Sequence, residues 1–355
     1  MTALHSYRHY LCRNCSRPFA RAAVLCVVLM FAEAGQVGAE TPLDPAPPKP
    51  GAEHPGYSGL PGNYLAGRFA YRERDVTSAA NFYRQVLAED YENRALVQRA
   101  LVLTVQGGRI DDAIPLAAHL VELDPKSKIG HLILIVSAIA DGRLDEALER
   151  VKNIKRKGIY ELLAPIMEGW VEMGRGNYDG ALAAIEPLAA KQAFEMYHAY
   201  HGALMANIFN QQDIANDNFR VALTAVPGGT LRVVVAYTTS LRRNGRLDEA
   251  TAIFESYRES NPDSPWLEPI LATINSDLRP ELIVSTAKEG MAEALFGAAS
   301  ALPNESAGDT GLIYAYLALH LRQDFPVVQL LVGEVLDVLE RFEDAIKAYG
   351  GISRD

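Results

Sequence analysis

Glu195, His198 and His201 lie three residues apart in a segment whose pattern predicts a helix, so a metal could in principle be gripped there. Two imidazoles at i and i+3 can share a side. A tight zinc site, however, wants further ligands and a second shell to orient them, and ordinary packing is the simpler reading. Cys12-x-x-Cys15, with His5 and His9 nearby, also has metal-like spacing, but it falls in a stretch that reads as a removable leader. Acidic pairs such as Asp111-Asp112 and Asp145-Glu146 resemble general acid–base groups; because they recur at the same place in a repeating pattern, stabilisation of helix starts explains them better. The sequence contains no phosphate loop, Gly-x-Ser-x-Gly elbow, His-Glu-x-x-His or calcium loop. Asn304-Glu305-Ser306 is a sequon that matters only in a glycosylating pathway. The expectation is a protein without catalysis, metal or cofactor.

The elements that would position any site begin after an unusual leader. Arg8, Arg13, Arg17 and Arg21 precede eleven apolar residues, Ala22 to Ala32, and then small residues ending Val37-Gly38-Ala39. That order predicts a signal peptide over 1–39 and export to a periplasm; the alternative is an uncleaved anchor that leaves the folded part in the same compartment. Eleven helical residues cover only about 16 Å, roughly half a bilayer's hydrocarbon core. Cys12, Cys15 and Cys26 all fall within this leader, so the mature chain is expected to hold no thiol or disulfide. Six prolines between Glu40 and Gly59 predict an extended, exposed linker over 40–59. The 355-residue chain has a net charge of −10, and the leader's four Arg against one Glu leave the remainder more acidic still. Such a surface repels phosphate backbones, so nucleic acid is not an expected partner.

From Leu60 onward a pattern recurs. Ala79, Ala113, Ala147, Ala181, Ala215 and Ala250 follow one another at intervals of 34, 34, 34, 34 and 35. Four residues after each stand Tyr83, Ala117, Val151, Ile185, Phe219 and Phe254; seven after stand Val86, Leu120, Ile154, Leu188, Ala222 and Tyr257. This spacing puts one small and two mostly apolar residues on a single helical face. Pro125, Pro227 and Pro262 stand twelve residues after the alanine in three copies. Before the alanines come Gly108-Arg109-Ile110-Asp111-Asp112, Gly142-Arg143-Leu144-Asp145-Glu146 and Gly245-Arg246-Leu247-Asp248-Glu249, with a weaker Gly176-Asn177-Tyr178-Asp179. Glycine permits a tight turn and the carboxylates favour the helix start that follows. Each copy therefore reads as two helices that must stack on neighbours to bury their apolar faces.

These residues resemble the tetratricopeptide repeat family. The likeness rests on a small residue in the first helix (Gly67, Gly169, Ala203, Gly333), the turn glycine, the alanine of the second helix, the following apolar or aromatic residue and the terminal proline. Leu101 and Ile135 depart from it, standing where a small residue is usual. The resemblance implies an all-α, right-handed solenoid of antiparallel helix hairpins. Six repeats are expected over 60–262, degenerate helical repeats with an insertion over 263–325, and a final repeat, possible to read as truncated, over 326–355. It also implies that first helices line a groove: Tyr64, Arg68, Tyr71, Arg72, Gln98 and Gln106, then Leu132, Val136, Leu163, Ile166 and Trp170, then Tyr197, Tyr200, Leu204 and Asn207, and lastly Arg232, Thr239, Arg242 and Arg243. An aromatic and apolar middle with basic ends would suit extended peptides or proteins as partners. The bland reading is that the middle residues pack between repeats. The expected role is an exported scaffold in envelope assembly or secretion, the alternative a structural subunit of a polysaccharide or protein export complex.

Overall fold

The computed structural model describes residues 59–226, 229–264, 267–276, 278–302 and 304–352. The leader with its three cysteines, nearly all of the linker, Pro227 and Trp266 lie outside the described residues. Seventeen helices and no strand are found among the described residues. The fold is all-α and built of antiparallel hairpins. None of these helices is long and apolar enough to cross a membrane.

The described residues divide into two compact units, one from Glu186 to Ile283 and one made of residues 59–185 together with those from Val284 onward. In the larger unit the hairpins are α1 (Leu60–Arg72) with α2 (Val76–Leu87), α3 (Arg94–Gln106) with α4 (Ile110–Leu123), α5 (Lys128–Ala140) with α6 (Leu144–Asn153), and α7 (Tyr160–Gly174) with α8 (Tyr178–Ile185). The smaller unit holds α9 (Glu195–Ile208) with α10 (Gln212–Thr224), α11 (Leu231–Arg243) with α12 (Leu247–Ser260), and α13 (Leu267–Asn275). Returning to the larger unit, the chain forms α14 (Ala287–Ser300), α15 (Asn304–Leu321), α16 (Pro326–Val338) and α17 (Phe342–Gly350).

Local chemistry accounts for the repeated hairpin. Asn93, Ser127 and Thr230 cap α3, α5 and α11, each accepting a hydrogen bond from a backbone amide three residues on. The turn into every second helix passes through one left-handed residue five positions before the repeat alanine. Gly108, Gly142, Gly176 and Gly245 fill it at φ between 72° and 77°. Arg74, Asn210 and Glu340 occupy the same place in the other copies at φ 64°, 57° and 58°. Those three accept a conformation that costs an L-residue about 1–2 kcal/mol, which shows how firmly the flanking helices impose the turn.

The alanines themselves, Ala79, Ala113, Ala147, Ala181, Ala215 and Ala250, have no exposed surface, because the partner helix crosses at that point. The small residue of the first helix meets the large one four positions after the alanine. A Cβ on Gly67 would stand 3.0 Å from the Tyr83 ring, and one on Gly333 would stand 2.3 Å from Tyr349. Leu101 and Ile135, which depart from the small-residue pattern, are fully buried.

Candidate functional site

The face of interest is the one formed by the first helices of successive hairpins. In the larger unit this face is covered by the chain itself. Helix α14 packs on α7 and α5, and α15 packs on α3, α5 and α4. At the centre, Trp170 of α7 has no exposed surface, and a Cβ on Gly290 of α14 would stand 2.2 Å from its indole ring. The backbone of α14 therefore lies flat on the ring face. Gly174, one turn along α7, repeats this close approach against Ala287, 3.1 Å from a built Cβ.

Polar contacts fix the other end of the cover. The Tyr71 hydroxyl donates to Asp309 Oδ2 at 2.7 Å, while the Arg99 guanidinium lies 4.0 Å from the centre of the Tyr71 ring. Burial pushes the Tyr71 phenol above its usual range, and the Asp309 bond adds to the shift. Arg341, at the start of α17, donates from Nη1 to the carbonyl of Gln106, one of the orphan acceptors at the end of α3, at 3.1 Å. Arg74 reaches the carbonyl of Leu339 and pairs with Glu340. Where α7 faces α15, burial pushes Tyr160 well above the phenol range and Tyr314 up to about 12.

The expected groove residues of this unit are thus mostly interior. Tyr64, Leu132, Val136, Leu163, Ile166 and Trp170 are buried, Gln106 is buried and Gln98 half-buried. Arg68 and Arg72 remain on the surface, Arg68 beside the Tyr64 ring and Arg72 over the Phe69 ring at 5.3 Å. The apolar residues expected to form a binding middle are used in packing, since α14 and α15 supply the apolar partner.

In the smaller unit, Tyr200, Leu204, Asn207 and Thr239 are buried and Tyr197 is half-buried. Burial pushes the Tyr197 phenol up to about 12. Asn207 Oδ1 accepts from Ser240 Oγ at 2.8 Å, which ties α9 to α11. Arg242 donates to the carbonyls of Thr273, Ser276 and Leu278, closing the end of α13, and Arg243 donates to the carbonyl of Pro280 at 2.7 Å. Arg232 is half-buried at the opposite end of α11. Asn207, Asn210, Gln212, Ser240, Arg243 and Asn244 border a small cavity of about 40 Å³. That volume suits water, and much of the polar lining is bonded within the protein: Ser240 to Asn207, Asn244 to Gln212 and Arg243 to the carbonyl of Pro280.

His198 lies 3.7 Å from Glu186, and His201 is buried beside the Tyr200 ring. Among the described residues no group of three or more His, Cys, Asp or Glu stands together as metal ligands would. The acidic pairs at helix starts have specific partners that the dipole argument missed. Where an arginine opens the second helix it pairs with the carboxylate three residues on: Arg143 with Glu146, Arg246 with Glu249 at 2.6 Å, and Arg341 with Asp344 at 2.8 Å. In Gly108–Asp112 the corresponding distance, Arg109 to Asp112, is 3.8 Å. The spacing Arg-x-x-acid, after glycine in three copies and after Glu340 in the fourth, was the signal available for it.

Helix α14 starts with a capping box. Thr286 Oγ1 accepts from the Glu289 amide at 3.2 Å, while Glu289 Oε2 accepts from the Ser285 amide and hydroxyl, both at 2.7 Å, and from the Thr286 amide. Burial alone would raise the Glu289 carboxyl; the donors of Ser285 and Thr286, with Arg322, outweigh it and lower the pKa. A lowered folded-state pKa means stability present above the ordinary carboxylate range and lost as pH falls through the folded value. Glu289→Gln should cost about 1 kcal/mol at pH 7, and the gap to the wild type should close below roughly pH 4. Urea melts at both pH values check this; an equal gap at each would show that the carboxylate charge is not what the cap uses.

Comparison with known proteins adds one family match and several structural ones. Residues 103–152, which span the end of α3 to the end of α6, match the model of a tetratricopeptide repeat. A search of the curated proteins finds no match. Among solved structures, a tetratricopeptide repeat protein from Parabacteroides merdae is 15% identical, covering 75% of this chain and 100% of its own, with a TM-score of 0.47. The MamA protein is 17% identical over 64% of this chain and 100% of its own, with a TM-score of 0.29. A chain of the Naa15/Naa10 complex bound to HypK is 12% identical over 82% of this chain, which spans about half (52%) of that chain, with a TM-score of 0.39. Residues 103–152 thus match a tetratricopeptide repeat, and the 34-residue phase with its left-handed turn five residues before each buried alanine carries the same hairpin pattern along the chain.

Proposed function

We propose that this protein is a non-catalytic scaffold that binds proteins or extended peptides, is exported, and works in cell-envelope assembly or secretion. The tetratricopeptide fold supports a protein-interaction role, and the basic, apolar, small-residue order of residues 1–39 supports export. The observation that carries the location of binding is the contrast between the two inner faces: α14 and α15 cover α3, α5 and α7, whereas α9 carries the half-buried Tyr197 near its start and, at its other end, borders with α11 a small amide-lined cavity. Peptides from envelope proteins, tiled on an array, should bind the wild type and bind Asn207→Ala/Tyr197→Ala at least about tenfold more weakly, the loss of a few hydrogen bonds and one aromatic contact. Indistinguishable arrays would remove this site. Residues 1–59 fused to alkaline phosphatase, which is active only after export, should give an active enzyme in a bacterial host; an inactive fusion would remove the exported reading.

The covered face favours a second reading, a structural subunit of a polysaccharide or protein export complex. Such a subunit would co-purify with membrane complexes and leave the peptide array blank.

A further inference from the structure

We propose that the two ends of the hairpin row in the larger unit are complementary, and that a second copy of this chain docks its α1 face onto the α16–α17 face in a head-to-tail contact. Leu65 and Phe69 on α1 are 61% and 59% exposed. Positions 34, 68 and 102 residues further on show what such a face ordinarily meets. Leu103, Ser137 and Val171 correspond to Phe69 and are buried; Arg99, Ile133 and Met167 correspond to Leu65, the last two buried and Arg99 half-buried against the Tyr71 ring of the preceding hairpin. Only the first hairpin among the described residues has no predecessor to cover it.

The other end shows the converse. Val338, Phe342 and Ile346 are 75%, 57% and 70% exposed. Ile110, placed in its hairpin as Phe342 is in α17, and Leu148, placed as Ile346 is, are 5% and 8% exposed, in hairpins that a further hairpin follows. Each end is therefore shaped like half of an internal repeat junction, and what fits it is a helix hairpin with the opposite half.

Charge selects the pairing. The α1 face intersperses its apolar residues with Arg68 and Arg72, both exposed. The α16–α17 face carries Asp337 and Glu343, also exposed, beside Val338 and Phe342. Like ends repel, while unlike ends bring cations to carboxylates around an apolar centre, which is the usual anatomy of a specific contact. A contact between different surfaces of identical chains is heterologous, so it propagates into rings or filaments unless one end is blocked.

That property gives the test. Sedimentation velocity of the full chain should show assemblies larger than a dimer that grow with concentration and shrink as salt is raised. Arg68→Glu/Arg72→Glu, which spoils only the head, and Asp337→Lys/Glu343→Lys, which spoils only the tail, should each weaken association at least about tenfold. Mixed in equal amounts, the two variants should regain assembly, because the unaltered tail of one meets the unaltered head of the other and the reversed acidic head meets the reversed basic tail. Phe69→Ser or Ile346→Ser should act like the charge reversals, with circular dichroism confirming that each variant folds. A monomeric wild type overturns the proposal, and is also the result if the chain's own proline-rich segment covers the α1 face. Assemblies untouched by the four charge reversals, or a dimer from either variant alone, overturn it as well.

Discussion

Gly290→Ala should destabilise the larger unit by about 2 kcal/mol or more, although alanine is the better helix former by about 1 kcal/mol. The sign reverses because the added Cβ would stand 2.2 Å from Cδ2 and Cε3 of Trp170, a fully buried ring that other side chains hold in place. Helix α14 must lift or the indole must turn, and either move opens a void along α7. Urea melts followed by tryptophan fluorescence read both consequences, since a lifted α14 exposes Trp170 and shifts its emission to the red. Gly350→Ala is the control: nothing stands within 4 Å of a Cβ there, and the change should stay within about 0.5 kcal/mol. Trp170→Leu alone should cost several kcal/mol through the cavity it leaves, but combined with Gly290→Ala the two losses should add to less than their sum. If Gly290→Ala proves as stable as the wild type, α14 does not rest on Trp170 and the inner face of this unit is open.

The repeat was legible in the sequence because its constraints are local. A turn that needs a left-handed residue favours glycine, a helix crossing that leaves no room favours alanine, and both recur in phase. The turn was hidden only where Arg74, Asn210 and Glu340 bear the strain in place of glycine. The return of α14 and α15 was not legible in that way, because periodicity says which side of a helix is apolar and never what meets it. Composition did carry a trace. Helix α5 is apolar from Leu132 to Ile139 save for Ser137 and buries every residue of that stretch, and α14 buries Gly290, Met291, Ala292, Glu293, Ala294 and Leu295 in succession. A helix apolar all round is enclosed on all sides, whereas one lining an open groove keeps a polar stripe. Reading Leu132, Val136 and Trp170 as a ligand-binding middle took the apolar character correctly and assigned it to a partner, when the partner is residues 287–321 of the same chain. The basic ends were assigned to a partner for a similar reason: nothing in the sequence shows that Arg242 and Arg243 find acceptors in the backbone between Thr273 and Pro280.

Arg341→Met should cost about 2–3 kcal/mol, whereas the same change at Arg246 should cost less than about 1 kcal/mol, even though both arginines open a second helix and pair with the carboxylate three residues on. The difference lies in burial and in a second partner. The Arg341 side chain is 5% exposed, its Nε and Nη2 donate to Asp344 Oδ2, and its Nη1 donates to the carbonyl of Gln106 on α3. Methionine keeps much of the apolar stem but leaves that carbonyl and the carboxylate without their donor, in a place where water does not replace it. Arg246 is 31% exposed and serves Glu249 alone through its guanidinium, so solvent takes over when it is removed. Arg341→Lys should recover only part of the loss, since one ammonium cannot reach both partners with the geometry of a planar fork. Chemical denaturation of the three variants measures the differences directly. Because Arg341 links α17 to α3, hydrogen exchange in Arg341→Met should rise in α16 and α17 before it rises in α5 and α6; uniform acceleration across the unit would show that this end of the cover is not held by Arg341.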